Sequence, residues 1–346
     1  MQNRISRVAA LTGVLAVTLA LRTTPLLGSD VPVRVRLATL APKGTSLHQA
    51  LLAMGQKWRL APGGGVDLTI YTDGTMGGEA DTVRRIRVGQ LQAGMLSVVG
   101  LSEIEHTVTA LEDLPMMFRS LEEVDYIREK LTAELERRFL DKGFVVLFWC
   151  DVGWVRFFSK EPMIHPTDLK KMKVFTWTGA PSQVDIMKAA GYQPVPLETN
   201  DILTGLQTGL ISAVPTVPLA ALAGQFYGPA PHMLEINWAP LVGGTVIAKK
   251  TWDSIPAAGQ EALRKAAQEA GEQIKQKTRA ESDQSVEAMK KRGLTVHQST
   301  PEIDAEWRKV AEDIYPKIRG PMVSAEMFDQ VQRLLQEFRA SKGTSR

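Results

Sequence analysis

Residues 166–218, PTDLKKMKVFTWTGAPSQVDIMKAAGYQPVPLETNDILTGLQTGLISAVPTVP, constrain the fold more than any other stretch of the chain. A short apolar strand is expected over 172–177, then a Gly-Ala-Pro turn, a helix over 182–190 and a turn at Gly191. A second strand is expected at 195–197. Asn200 or Asp201 suits the cap of a short helix reaching Leu206, and Gly209 ends that helix ahead of a third strand over 210–214. The order is β-α-β-α-β. Such alternation builds a mostly parallel sheet with helices on its faces, and ligand crevices open at the ends of its strands.

The rest of the chain repeats this grammar. Strands are expected over 33–40 and 66–71, helices over 46–60 and from Gly78 to Val88, a short strand at 95–99, a charged helix over 121–140 and a buried strand at 144–149. A chain of 346 residues exceeds what one hydrophobic core usually supports, so two lobes are expected. The first crossing between them is placed at 150–154 and the return at 236–238, followed by a strand over 246–249. Ala262, Leu263, Ala266, Ala267, Ala270 and Ile274 recur at helical spacing, and Val286 and Met289 resume it. They give one long helix within 256–292, or two joined near Gly271. A strand at 294–297 and helices over 303–315 and 324–338 close the chain. The α/β organisation is thus lobe I over 30–152, completed by about 239–270, and lobe II over 153–238, completed by about 271–320. A C-terminal helix and tail occupy 321–346.

Residues 1–29 are of another kind. Arg4 and Arg7 precede the uncharged, mostly apolar stretch VAALTGVLAVTLAL, and small residues follow near Gly28 and Ser29, which reads as an export signal. Arg22 closes the stretch too early for a membrane span. Of the 41 basic residues this segment holds Arg4, Arg7 and Arg22 and none of the 38 acidic ones, so the remainder is formally neutral. The basic footprint expected of a nucleic-acid or anionic-membrane binder is therefore lacking.

Catalytic and metal-binding signals are weak. Cys150 is the sole cysteine and follows the apolar run VVLFW, the setting of a buried strand thiol. His48, His106, His165, His232 and His297 stand singly, without metal-ligand spacing, and no nucleophile-elbow motif occurs. The glycines at 63–65 and 74–78 lack the Lys-Ser/Thr ending of a phosphate loop and read as turns, with Gly77 and Gly78 opening a helix. No enzyme, metal or cofactor is expected from this pattern.

The motif PTDLKKMKV followed by LQTGL resembles the solute-binding proteins of TRAP (tripartite ATP-independent periplasmic) transporters, of the DctP-like kind. LATLAPKG at 37–44, TMGGE at 75–79, VRRIRVGQLQAG at 83–94, DLPMMF at 113–118 and GTVIAKKTWDSI at 244–255 extend the resemblance in order. It implies a two-lobed periplasmic binding-protein fold with a long helix spanning both lobes. It further implies export to the periplasm, a ligand in the cleft between lobes, and delivery to TRAP membrane permease subunits by hinge closure.

The chain departs from that family at its anchors. Where the family holds a ligand carboxylate with an arginine at the end of the Asp-Leu-Lys segment, this chain has Phe175 in the same register. The second family arginine, after a Gly-aromatic pair, is Val155 after Gly153 and Trp154. Arg156 lies one place further, on the opposite face of a strand. The usual Asp-Gly-Gln-Glu-Asn stretch becomes Ser212, Ala213, Val214, Pro215 and Thr216. A carboxylate would lack its counter-charge, so a largely apolar ligand is expected, with Phe175, Trp177, Trp154, Val155 and Thr216 as site residues. Met76, Phe118 and Trp238 are further candidates. The departure also resembles the family branch whose partners are helical-repeat lipoproteins. Two other readings stay open: a carboxylate binder recruiting Arg156 or another cation, and a periplasmic lipid carrier or sensor without a transporter.

Overall fold

The computed structural model describes residues 32–343; the expected export signal lies outside them. Lobe I opens with β1 (Val33–Thr39), α1 (Ser46–Arg59), β2 (Val66–Tyr71), α2 (Glu79–Arg87) and β3 (Ala93–Ser97). It continues with α3 (Val98–Ser102), α4 (Leu121–Asp141) and β4 (Phe144–Trp154). Lobe II holds β5 (Arg156–Ser159), α5 (Pro166–Leu169), β6 (Lys173–Trp177), α6 (Pro181–Ala189) and β7 (Gln193–Leu197). It then adds α7 (Ile202–Thr208), β8 (Ala213–Thr216), α8 (Pro218–Ala223) and β9 (His232–Glu235). The chain returns as β10 (Pro240–Ala248), α9 (Lys249–Asp253), α10 (Ala257–Lys290), β11 (Thr295–Gln298), α11 (Pro301–Ile318) and α12 (Ala325–Gly343).

Each lobe is built on one sheet. Lobe I has the order β2-β1-β3-β10-β4, with β10 antiparallel to both neighbours and β1 parallel to β2 and β3. Lobe II has the order β11-β9-β5-β8-β6-β7, where β6 runs parallel to β7 and β8 and β5 runs antiparallel to β8 and β9. The parallel β6, β7 and β8 are the β-α-β-α-β unit expected from residues 166–218. Its third strand starts later than expected because Ile211 N–H donates to Gly205 O, closing α7 past Gly209 in the left-handed conformation.

Short antiparallel strands were the elements that periodicity did not expose. β5 is buried on both faces, so it shows no alternation, and β9 has four residues. β10 is longer than the expected 246–249 because Gly243 and Gly244 carry it between β3 and β4. A Cβ on Gly243 would meet Leu96 O at 2.7 Å, and one on Gly244 would meet Phe148 O at 3.2 Å.

The lobes are joined at one narrow waist. Val155 is the single residue between β4 and β5, its N–H donates to Ala239 O at 2.8 Å, and Trp238 N–H donates back to Val155 O at 3.2 Å. The outgoing and returning chains therefore cross side by side. The third connection is α10, one continuous helix through Gly271, and a fourth follows where the chain passes from α11 back to α12. There the helix lies so close to β4 that a Cβ would meet the Phe148 side chain at 2.7 Å. Leu263, Ala267, Ala270 and Ile274 of α10 sit in the lobe I core, and Val286 and Met289 in the lobe II core, so the helix spans both lobes. The C-terminal α12 is part of lobe I: Met327, Phe328, Val331 and Leu335 pack with Leu131, Leu135 and Phe139 of α4.

Candidate ligand-binding cleft between the lobes

Two cavities flank the waist. The larger, about 510 Å³, lies between the strand ends of lobe I and the β6, β8 and α7 region of lobe II. Thr39, Leu40, Met95, Ser97, Cys150 and Val152 line it from lobe I, and Trp177, Asn200, Leu203, Thr216, Val217 and Phe226 from lobe II. The smaller, about 120 Å³, lies among Glu112, Asp113 and Pro115 of lobe I, Val155, Trp238 and Ala239 of the crossings, and the β5, β6, α6 and α11 side of lobe II. Trp177 lines both. The lobes meet around this space: a Cβ on Gly78 would touch Glu198 Oε2 at 2.5 Å, one on Gly74 would touch the Asn200 amide, and one on Gly179 would meet Val99.

The electrostatics of the lining are one-sided. Among the described residues, no lysine, arginine or histidine lines either cavity, whereas Asp73 and Glu79 line the larger and Glu112 and Asp113 the smaller. Glu79 is buried beside the start of α2, where it accepts from Ser97 N–H at 2.7 Å, Ser97 Oγ–H at 2.5 Å and Gly100 N–H at 2.9 Å. Burial nevertheless raises its carboxyl above the usual range, because all three donors are neutral. Glu112 accepts from Val242 N–H at 2.7 Å and is pushed well above the carboxylate range by burial and by the neighbouring Asp113. Burial lifts Asp113 to about 7. Among the described residues, nothing donates to or pairs with the Asp113 carboxylate. Burial likewise pushes the Cys150 thiol up to about 12, as suits an inert strand cysteine.

The candidate residues separate into three groups. Trp177 and Thr216 reach the larger cavity; Phe175, Val155, Trp238 and again Trp177 line the smaller. Phe175 is fully buried and packs edge-on to Trp177, ring centroids 4.8 Å apart, over Phe158, Ile202 and Leu206. Trp154, Phe118 and Met76 line neither cavity; they pack in the lobe I core. Arg156 also lines neither, and its Nη1–H donates to Glu235 Oε1 at 2.6 Å. Burial works against the Glu235 carboxylate, but the Arg156 hydrogen bond and charge outweigh it and hold the group below its ordinary value. His232 and His297 adjoin each other at 3.1 Å across β9 and β11. No group of residues suited to a metal ion occurs among the described residues.

Sequence reasoning missed Glu79, Glu112, Asp113, Phe157 and Trp307 as lining residues. Glu79 and Asp113 stood inside quoted motifs, but nothing in the local pattern told a cleft carboxylate from a surface one. Trp307 is distant in sequence and reaches the waist only because α11 folds back across lobe II.

A two-lobed α/β frame crossed by several segments, with a lined cleft between the lobes, is the architecture of a solute-binding protein. The chain belongs to the bacterial extracellular solute-binding protein family 7, DctP, whose model matches residues 37–320. This is a family of transport binding proteins rather than of enzymes. Curated relatives include the 2,3-diketo-L-gulonate-binding periplasmic protein YiaO of Escherichia coli K12, 26% identical over 67% of this chain and 71% of that protein. Another is a solute-binding protein of Sulfitobacter sp. NAS-14.1, 28% identical over 60% of this chain and 63% of that protein. The fold matches TRAP periplasmic solute-binding proteins of known structure. One from Xanthobacter autotrophicus Py2, with bound β-D-galacturonate, has TM-score 0.80 at 21% identity over 87% of this chain and 99% of that one. One from Shewanella oneidensis, with bound succinate, has TM-score 0.81 at 17% identity over 88% and 100%. One from Fusobacterium nucleatum, with bound sn-glycerol 3-phosphate, has TM-score 0.80 at 20% identity over 90% and 99%. Among the described residues no helix is long and apolar enough to cross a membrane.

Proposed function

We propose that this chain is the extracytoplasmic binding subunit of a TRAP-type transport system, delivering to membrane permease subunits a largely apolar ligand without an acidic group. The observation that carries the reading is that, among the described residues, no lysine, arginine or histidine lines either cavity. The three solved relatives above hold a uronate, a dicarboxylate and a phosphate ester. Such anions require a cation or a dense set of donors, since an uncompensated charge in a dry cleft costs several kcal/mol. By the family resemblance Phe175 and Val155 fall where arginines are expected, and Arg156 is engaged by Glu235. The walls instead offer Leu40, Met95, Leu203, Phe226 and Trp177, whose burial against a ligand is worth about 25 cal/mol per Å² of apolar surface.

The test is mass spectrometry of small molecules released by denaturing the mature protein after native purification, alongside the Trp177→Ala variant. A retained molecule with an apolar body and no carboxylate or phosphate, lost on Trp177→Ala, is expected. Retention of a uronate or dicarboxylate would return the protein to the acid-binding majority of its relatives.

A further inference from the structure

The smaller cavity has a composition that the apolar reading does not use. Phe157, Trp238 and Trp307 form a ring triad at its wall, with centroids 5.1 Å apart for Phe157 and Trp307, 5.4 Å for Phe157 and Trp238, and 5.7 Å for Trp238 and Trp307. Facing them from lobe I are Glu112, 8% exposed, and Asp113. Glu112 uses one oxygen on Val242 N–H; its other oxygen and both of Asp113 accept from no protein donor among the described residues. Glu112 is buried and Asp113 half-buried beside it; two adjacent carboxylates without a counter-charge repel each other, and the lining supplies neither a basic side chain to neutralise them nor a metal-binding donor set among the described residues. Phe157 and Trp307 are stacked and buried behind the wall, whereas Trp238 and Trp177 keep exposed surface on a cavity also lined by the two acids; an aromatic surface and carboxylates lining one cavity are the chemistry that recognises an organic ammonium ion. The volume suits such a head group: about 120 Å³ here, against roughly the 150 Å³ at which a dry cavity accepts benzene.

We infer that the ligand is cationic: an amine or quaternary ammonium whose head sits in the smaller cavity between Glu112, Asp113 and the rings of Phe157, Trp238 and Trp307, with its apolar body against Trp177. This rests on the apolar reading above and adds the sign and place of the charge. The waist position matters to the mechanism. Glu112 and Asp113 come from lobe I, Phe157 and Trp307 from lobe II, and Trp238 from the returning crossing, so a bound cation draws the two lobes together.

Affinity is to be measured by tryptophan fluorescence and calorimetry at about pH 8, where both acids ionise more fully, for hexyltrimethylammonium, hexan-1-ol and heptanoate. The cation is expected to bind about tenfold or more tightly than the alcohol, and the acid least. Asp113→Asn and Glu112→Gln should each lower the cation's affinity towards the alcohol's while leaving the alcohol's unchanged; Glu112→Gln keeps an acceptor for Val242. Equal binding of cation and alcohol overturns the cationic inference and leaves the apolar reading standing. Tightest binding of heptanoate, or no binding of any of the three, overturns both. A cation preference that survives both substitutions overturns the placement of the head group.

Discussion

Arg156 Nη1 lies 2.6 Å from Glu235 Oε1, across the neighbouring strands β5 and β9. The arginine that follows Val155 is thus held by an ion pair inside the lobe II sheet. Arg156→Ala should cost about 1–3 kcal/mol by denaturant unfolding, because it strands a partly buried carboxylate. It should leave the ranking of cationic, neutral and acidic ligands unchanged. Loss of acid binding in that variant would instead identify Arg156 as a replacement anchor.

The Glu112–Asp113 pair makes stability fall as pH rises. Both carboxyls titrate above their ordinary range in the folded chain through burial, Asp113 at about 7, whereas an unfolded aspartate titrates near 3.9. The folded state therefore holds extra protons between those values, and the stabilisation present below about pH 4 is lost as pH rises through about 7. The midpoint of thermal unfolding should drop between pH 5 and about pH 8 in the unliganded protein, less so in Asp113→Asn. A bound ammonium ion should restore the midpoint at the alkaline end. A variant with the same pH slope as the parent would assign the loss to other groups.

Much of the frame was legible because it rests on period and punctuation. The strands β1, β2 and β6, the helices α1, α2, α4 and α10, and the turn at Gly209 fall within a few residues of expectation. Phe175 and Val155 were singled out from the sequence through the family resemblance, and both line the smaller cavity. What stayed hidden depends on three-dimensional juxtaposition. Glu112 and Asp113 gain their meaning from α11 and the returning crossing, which come more than a hundred residues later. Trp154 and Phe118 looked like cleft aromatics, yet they pack in the lobe I core, since an aromatic near a lobe boundary packs equally well to either side.

Gly271 marks the closest approach of α10 to the lobe I sheet. Its position would place a Cβ at 2.7 Å from Phe148 Cδ2 and 2.8 Å from Phe148 Cβ, so even one added carbon forces the helix or β4 to move. Gly271→Ala gains about 1 kcal/mol of helix propensity but loses more to overpacking, for a net destabilisation of about 1–2 kcal/mol. Gly271→Ala combined with Phe148→Leu should recover part of this by vacating the contact. If the single variant proves more stable than the parent in chemical unfolding, the close approach has been overestimated.

The same helix is fixed to β4 and α4 by charge. Arg279 donates through Nε and Nη2 to both oxygens of Asp151, at 3.0 and 2.7 Å, and through Nη1 and Nη2 to Asp125, at 2.8 and 2.9 Å. Asp151 is fully buried on β4, a few residues before Val155, and Thr278 Oγ1 donates to its carbonyl at 2.9 Å. Burial opposes the charge on Asp125, but the Arg279 bonds prevail and lower its carboxyl, so its share of the stability is lost as pH falls through that lowered value. Arg279→Met keeps the bulk of the stem but leaves the buried Asp151 only the more distant Arg128 guanidinium at 3.9 Å, and should cost about 2–4 kcal/mol in unfolding experiments. Because the fork ties α10 to lobe I just before the helix enters lobe II, its loss should also loosen closure. Small-angle scattering of the ligand-bound variant should show a larger radius of gyration than the bound parent. An unchanged radius with the stability loss intact would confine Arg279 to holding lobe I together.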